Sequence, residues 1–139
     1  MLLTIWSPKG GSGTSVFAAA CALALTPAPG VCLVDLCGDQ PAVLGMAGDP
    51  EHGDADWLAL GPEAPTDALE RLAVDVCDGM RLVPHGRGTA VPGAPSGAEA
   101  GAALAVSLRD AEVPTIVDAG VPKSPAAQAL VEVADASLI

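Results

Sequence analysis

The sequence predicts one α/β domain, a parallel β-sheet flanked by helices. Three observations carry that expectation. Short apolar runs of strand character alternate with Ala- and Leu-rich segments of helical character, the pattern of right-handed βαβ crossovers. Those runs are near-continuously apolar, as strands buried on both faces are. Half of the 139 residues are hydrophobic, yet Trp6, Phe17 and Trp57 are the only aromatics, so Ala, Val and Leu must build the core. A chain of this length buries a core without disulfide or metal staples, and residues 1–139 read as a single domain.

The elements follow in order. Leu2–Trp6 is the first strand, and a glycine-rich turn over residues 7–15 leads to a helix over 16–25. Thr26-Pro27-Ala28-Pro29-Gly30 stops that helix and turns the chain. Val31–Asp35 is the second strand, followed by a short helix over 41–46 and a polar, turn-rich stretch over 48–53. Asp54–Leu60 forms one helical piece. A second runs over 66–74, with Leu69, Leu72 and Ala73 on one face and Thr66 as N-cap. Residues 80–84 are the third strand, and the Gly- and Pro-rich residues 85–96 are expected to be a mobile loop. A helix over 98–109 precedes the fourth strand, 114–118. A helix over 123–134, capped by Ser124, precedes a fifth strand opening at Ala136. The fifth strand must pair with the strand carrying Asp118 or with the first strand.

The net charge is −11, and the basic residues Lys9, Arg71, Arg81, Arg87, Arg109 and Lys123 are scattered. With no basic stripe to neutralise phosphates, direct binding to nucleic acid is not expected, nor to an anionic membrane surface. Cys21, Cys32, Cys37 and Cys77 lack C-x-x-C spacing and read as reduced thiols, Cys21 and Cys32 in the core. His52 and His85 read as isolated loop residues with no metal site between them. No secretory leader pattern precedes the first strand, and no apolar run approaches the ~18 residues of a membrane span, so a cytoplasmic location is expected.

The chemistry concentrates in Ser7-Pro8-Lys9-Gly10-Gly11-Ser12-Gly13-Thr14-Ser15. A loop of this kind needs glycines so that successive N–H groups turn inward around a phosphate, a Lys against the β/γ-phosphates, and a Ser/Thr hydroxyl for Mg²⁺. Gly10, Gly11 and Gly13 supply the cradle and Ser15 the hydroxyl, but Thr14 stands where the lysine belongs. Losing that lysine removes charge-assisted contacts of ~1.5–3 kcal/mol, a roughly tenfold to hundredfold loss of affinity.

With Lys9, the segment matches five of the six fixed positions of Lys-Gly-Gly-x-Gly-Lys-[Ser/Thr]. It resembles the deviant Walker A motif of the ParA/MinD family of P-loop ATPases, which includes the CpaE/TadZ pilus-localisation proteins. The resemblance implies a P-loop NTPase fold that binds ATP or ADP with Mg²⁺ through Lys9, Gly10, Gly11, Ser12, Gly13, Thr14 and Ser15. It also implies a homodimer in which Lys9 reaches the partner's phosphates. Asp118, in Ile116-Val117-Asp118-Ala119-Gly120, resembles Walker B, and Asp35, in Val34-Asp35-Leu36-Cys37-Gly38-Asp39, resembles the first Asp of switch I. Ser15, Asp35 and Asp118 are thus the candidate metal set, and Lys9, Asp35 and Asp39 the candidate catalytic set.

The second switch I position, which in the family helps position the attacking water, holds Cys37, whose neutral thiol cannot accept a proton as a carboxylate does. Asp39 substitutes only if the loop bends toward it. Plainer readings stand beside these: Asp118 as a helix- or turn-capping carboxylate, and Gly38-Asp39-Gln40-Pro41 as a turn into a helix. The expected function is that of a nucleotide-binding or degenerate ATPase in subcellular localisation, working with protein partners of a localisation or pilus system. Residues 38–45 resemble the pilus branch. An active ATP-dependent switch in partition or septum placement is the alternative, and a small-molecule ligase or kinase on the same fold a third. The resemblance covers the N-terminal half to two-thirds of such a protein, so the chain reads as a C-terminally truncated or minimal version.

Overall fold

The computed structural model describes residues 1–27, 29–88 and 97–139. Its elements are β1 (Leu2–Trp6), α1 (Thr14–Ala24), β2 (Val31–Asp35), α2 (Gln40–Val43), α3 (Asp54–Leu60), α4 (Ala68–Leu72), β3 (Val74–Cys77), β4 (Met80–Val83), α5 (Gly97–Arg109), β5 (Thr115–Gly120), α6 (Pro125–Val133) and β6 (Ala136–Leu138). A single 3-10 turn, Gly61–Glu63, follows α3. Ala28, inside the expected helix stop, and residues 89–96 of the expected mobile loop lie outside the described residues.

The six strands form one sheet in the order β3-β4-β2-β5-β1-β6. All neighbours pair in parallel except β3 and β4. The antiparallel strand corrects the sequence expectation, in which the helix over 66–74 ran on through Val74. That helix ends at Leu72, and Ala73 is already extended at ψ 134°. Val74–Cys77 then alternates half-buried and exposed residues, the period of an edge strand, and turns back through Asp78-Gly79, with Gly79 at φ 78°. The N-cap of α4 is Asp67, not Thr66, and makes no side-chain capping bond. Ser124 caps α6 as expected, its Oγ accepting from Ala127 N at 3.1 Å. β6 pairs with β1, the strand that leads into the glycine-rich turn.

The sheet is covered on both faces. On one, Ala18 and Ala22 of α1 lie over Ile5, Leu33 and Ile116, and these small side chains let the helix sit close to the strands. On the other, Trp57, Leu104, Leu108 and Leu130 from α3, α5 and α6 enclose Leu2, Val34 and Val117. Each such buried Leu or Val contributes ~1.5–3 kcal/mol. Gly101 brings α5 against α6: a Cβ there would lie 2.6 Å from the Ala126 backbone. Of the four cysteines, all are free; Cys21 and Cys32 are half-buried, while Cys37 and Cys77 are exposed. No helix among the described residues is long and apolar enough to cross a membrane.

Candidate functional site

The site forms at the carboxyl ends of the parallel strands. After Trp6 the chain bends through residues 7–13, with Gly11 and Gly13 at φ 75° and 83°, a region that strains any residue carrying a Cβ. The bend is braced from within, as Ser7 Oγ and Ser12 Oγ donate to the Lys9 carbonyl oxygen at 2.9 and 3.3 Å. Gly13 caps α1 without any side-chain bond, and the first amide with an intrahelical partner is Phe17 N, to Gly13 O at 2.9 Å. The preceding amides are therefore left for a ligand, and the helix dipole favours an anion there. Thr14, at the lysine position, turns back onto the loop: its Oγ1 lies 3.0 Å from Ser12 Oγ.

Asp35, the last residue of β2, and Asp118, two residues before the end of β5, stand in direct register and are fully buried. Gln40 ties them together. Its backbone N donates to Asp35 Oδ2 at 2.9 Å, and its Nε2 donates to Asp118 Oδ2 at 2.7 Å and to the Ser15 carbonyl at 2.9 Å. Gly38 N adds a 2.8 Å bond to Asp35 Oδ1, and Gly120 N a 3.1 Å bond to Asp118 Oδ1. Burial nonetheless raises the Asp35 pKa above its ordinary value, outweighing the bonds from Gln40, Gly38 and Cys37. Among the described residues, Gln40 Oε1 is buried without a hydrogen-bond partner.

The Cys37 thiol sits between these groups, with Sγ 3.4 Å from Asp35 Oδ1, 3.3 Å from Asp118 Oδ2 and 3.7 Å from Ser15 Oγ. Although the residue as a whole is exposed, desolvation of the thiol, then the charges of Asp118 and Asp35, push its pKa above the usual thiol range. It is a proton donor to the carboxylates and no base. The ligand atoms of Asp35, Cys37 and Asp118 all lie within 4.8 Å of one another. With Ser15 Oγ the two carboxylates make a hard oxygen set that suits Mg²⁺, whereas the sulfur between them is a soft donor that Mg²⁺ does not use.

Beside this cluster opens a cavity of about 610 Å³ lined by residues 9–15, Cys37 and Asp39, with Lys123 and His85 on its walls. The structure thus brings every sequence-predicted site residue to one region: the loop and Asp39 line the cavity, and Asp35 and Asp118 are buried behind its lining residue Cys37. Asp39 is the N-cap of α2, exposed, with no side-chain capping bond.

Three contributors escaped the sequence reading. Gln40 gave no signal apart from its neighbours in a turn-like tetrapeptide. Lys123 looked like one of six scattered cations. His85, read as isolated, is paired with Asp54, Nδ1 to Oδ1 at 2.9 Å. Burial raises the Asp54 pKa to about 6 against the stabilising pull of His85, and the bond to Asp54 raises that of His85.

No protein-family model and no curated protein matches the chain. Solved structures do. A ParA family ATPase from Chlorobium tepidum superposes with a TM-score of 0.75 at 21% identity, covering 98% of this chain and 57% of that one. An ATP complex of a Cyanothece McdA variant gives 0.71 at 18%, covering 98% and 54%. Cobyrinic acid a,c-diamide synthase from Mycobacterium smegmatis, with an ATP analogue and magnesium, gives 0.68 at 23%, covering 98% and 57%. The chain therefore spans just over half the length of these neighbours. At such identities the likeness is one of architecture, and the architecture is that of the ParA-type P-loop ATPases.

Proposed function

We propose that this domain is a ParA/MinD-like nucleotide-binding module, a degenerate ATPase that holds ATP or ADP with Mg²⁺ and acts in subcellular localisation. The observation that carries the proposal is the glycine bend at positive φ that delivers the uncapped N-terminus of α1 into the cavity. The backbone of residues 10–15 would hold the phosphates, with Ser15, Asp118 and Asp35 toward the metal. Mg²⁺ bound there neutralises charge that develops on the transferring phosphoryl group. What this chain's residues contribute to hydrolysis is meagre. Thr14 brings no charge, and the Cys37 thiol cannot take a proton from water. Lys9 and Lys123 are the cations lining the cavity.

The outer face of α1 supports a homodimer: Val16, Phe17 and Leu23 are 62%, 51% and 48% exposed, and Val16 reaches the cavity rim. A role with protein partners in positioning pilus-assembly machinery rests on the resemblance of residues 38–45 alone. Calorimetric titration with ATP and ADP in Mg²⁺ tests the proposal: micromolar binding supports it and silence at millimolar nucleotide refutes it. ATP turnover well above that of a Lys9→Ala variant would replace the degenerate reading with the active switch. Light scattering tests the dimer, and a monomer with nucleotide present counts against it.

A further inference from the structure

Two glycines press the start of α3 against the end of β4. Asp54 N donates to the Pro84 carbonyl at 2.8 Å, Ala55 N to that of His85 at 3.1 Å, and Arg87 N to that of Glu51 at 2.8 Å. A Cβ on Gly53 would lie 1.9 Å from the Pro84 oxygen, and one on Gly86 2.5 Å from Gly53 N. This backbone staple aligns Asp54 with His85. Asp54 is fully buried, and among the described residues its Oδ2 has no hydrogen-bond partner and its one ion-pair partner is the His85 imidazole.

His85 also borders the cavity. It lies beside Gly38, where a Cβ would be 3.8 Å from His85 Cβ and 3.9 Å from Cδ2, and it lines the cavity together with the glycine loop. Asp54 occupies Nδ1, and Nε2 has no hydrogen bond among the described residues. A base or cation oriented by a buried carboxylate, with its second nitrogen unpartnered and its residue lining a cavity, is an arrangement that serves a ligand.

We propose that His85, oriented by Asp54, is a proton-linked anion contact of this cavity, donating Nε2–H as imidazolium to the terminal phosphate of the nucleotide. The inference rests on the nucleotide reading above. It follows from a charge count on the cavity wall. The loop lacks the lysine at Thr14, while the charges of Asp54 from α3 and Asp35 from β2 act on the ring, and Cys37 and Asp39 line the same cavity. Lys9 and Lys123 line the same cavity. A proton on the His85–Asp54 pair cancels one negative charge beside the phosphates and supplies one donor to them. Incoming phosphate raises the affinity for that proton further, so each anion bound takes up as much as one proton. The sign is fixed: affinity is highest in acid and falls as the pH rises through the His85 pKa, by at most tenfold per unit.

The test is calorimetric titration of the whole chain with ATP and Mg²⁺ from about pH 6 to about pH 8.5, in buffers of differing ionisation heat. The wild type should weaken by about tenfold across the range and take up protons on binding. His85→Gln should bind with a flat pH profile once the titration of ATP itself, common to both proteins, is subtracted. As a second readout, inorganic pyrophosphate should raise the pKa of the His85 ring in NMR titration of the wild type, and Asp54→Asn should lower it. An equal pH slope in folded His85→Gln, or a ring that ignores pyrophosphate, overturns the inference and leaves nucleotide binding standing. Failure of both proteins to bind ATP at any pH refutes the nucleotide reading and the inference together.

Discussion

Replacing Cys37 by Asp should make the protein less stable without Mg²⁺ and make its stability respond to Mg²⁺. The sulfur lies 3.4 Å from Asp35 Oδ1 and 3.3 Å from Asp118 Oδ2, so a carboxylate placed there meets two others at near-contact distance. At 3.3–3.4 Å each pair repels by ~1 kcal/mol in water and ~5 kcal/mol at an effective dielectric of 20. The position opens to the cavity and the new side chain can swing outward, so the lower end applies, about 2 kcal/mol in total. For a domain of this size that lowers Tm by about 6–8 °C. Mg²⁺ at ~100 times its Kd returns about 2.7 kcal/mol. Thermal unfolding followed by circular dichroism, in EDTA and then in Mg²⁺, measures both terms, and Cys37→Asn controls for size without charge. A Cys37→Asp protein as stable as Cys37→Asn in EDTA, or indifferent to Mg²⁺, would show that the three groups do not form one cation site.

Thr14→Lys should tighten ATP binding tenfold to hundredfold in calorimetry, the ~1.5–3 kcal/mol of a restored charged contact; unchanged affinity would mean the phosphates do not lie at this loop. Gly53→Ala should cost about 2 kcal/mol or more in urea unfolding, because its Cβ would fall 1.9 Å from the Pro84 oxygen; a wild-type midpoint would refute the staple. The His85 pKa is raised on folding, so its stabilisation is complete below the unfolded value of about 6.5 and is lost as the pH rises through the folded one. Asp54 acts in the same direction at lower pH, its pKa raised to about 6. Relative to His85→Gln, the wild type should therefore be stabilised in mild acid and lose that advantage toward pH 8; a constant difference across the range would show that the pair does not titrate.

The fold was legible because its signal is local. Apolar runs bounded by Pro and Gly gave the parallel strands and both long helices to within a few residues, since strands buried on both faces allow few other sequences. The edge was not legible. Val74–Cys77 is short and half-exposed, and it follows a helical pattern whose apolar residues Leu69, Leu72 and Ala73 hide where the helix stops. The Asp78-Gly79 pair was the available signal for the reversal. In the site, the glycine loop and the strand-end carboxylates could be read in sequence because geometry demands them there. Gln40 and His85 could not, because their partners lie 78 and 31 residues away. Such pairings exist only after the sheet brings β2 beside β5 and β4 beside β2.

The parts of this site differ in what they say about function. Asp35, Asp118 and Gln40 are wired to backbone amides and to one another, so they would be needed to close the strand ends even in a protein that bound nothing. Their presence argues for the fold. The glycines argue differently. Cβ atoms at Gly10, Gly11 and Gly13 would meet nothing within 4 Å, so no neighbouring atom requires their absence. Gly11 and Gly13 nonetheless hold a left-handed backbone, and the loop is exposed. A fold seeking only stability would close this connection with residues that cost less backbone entropy and would cap α1 with a side-chain oxygen, worth about 1 kcal/mol. This chain does neither at the N-terminus of α1, whereas Ser124 caps α6 beside the same cavity. Stability is forgone where an anion would recover it, and that makes the loop, more than the acidic pair behind Cys37, the reason to look for a phosphate.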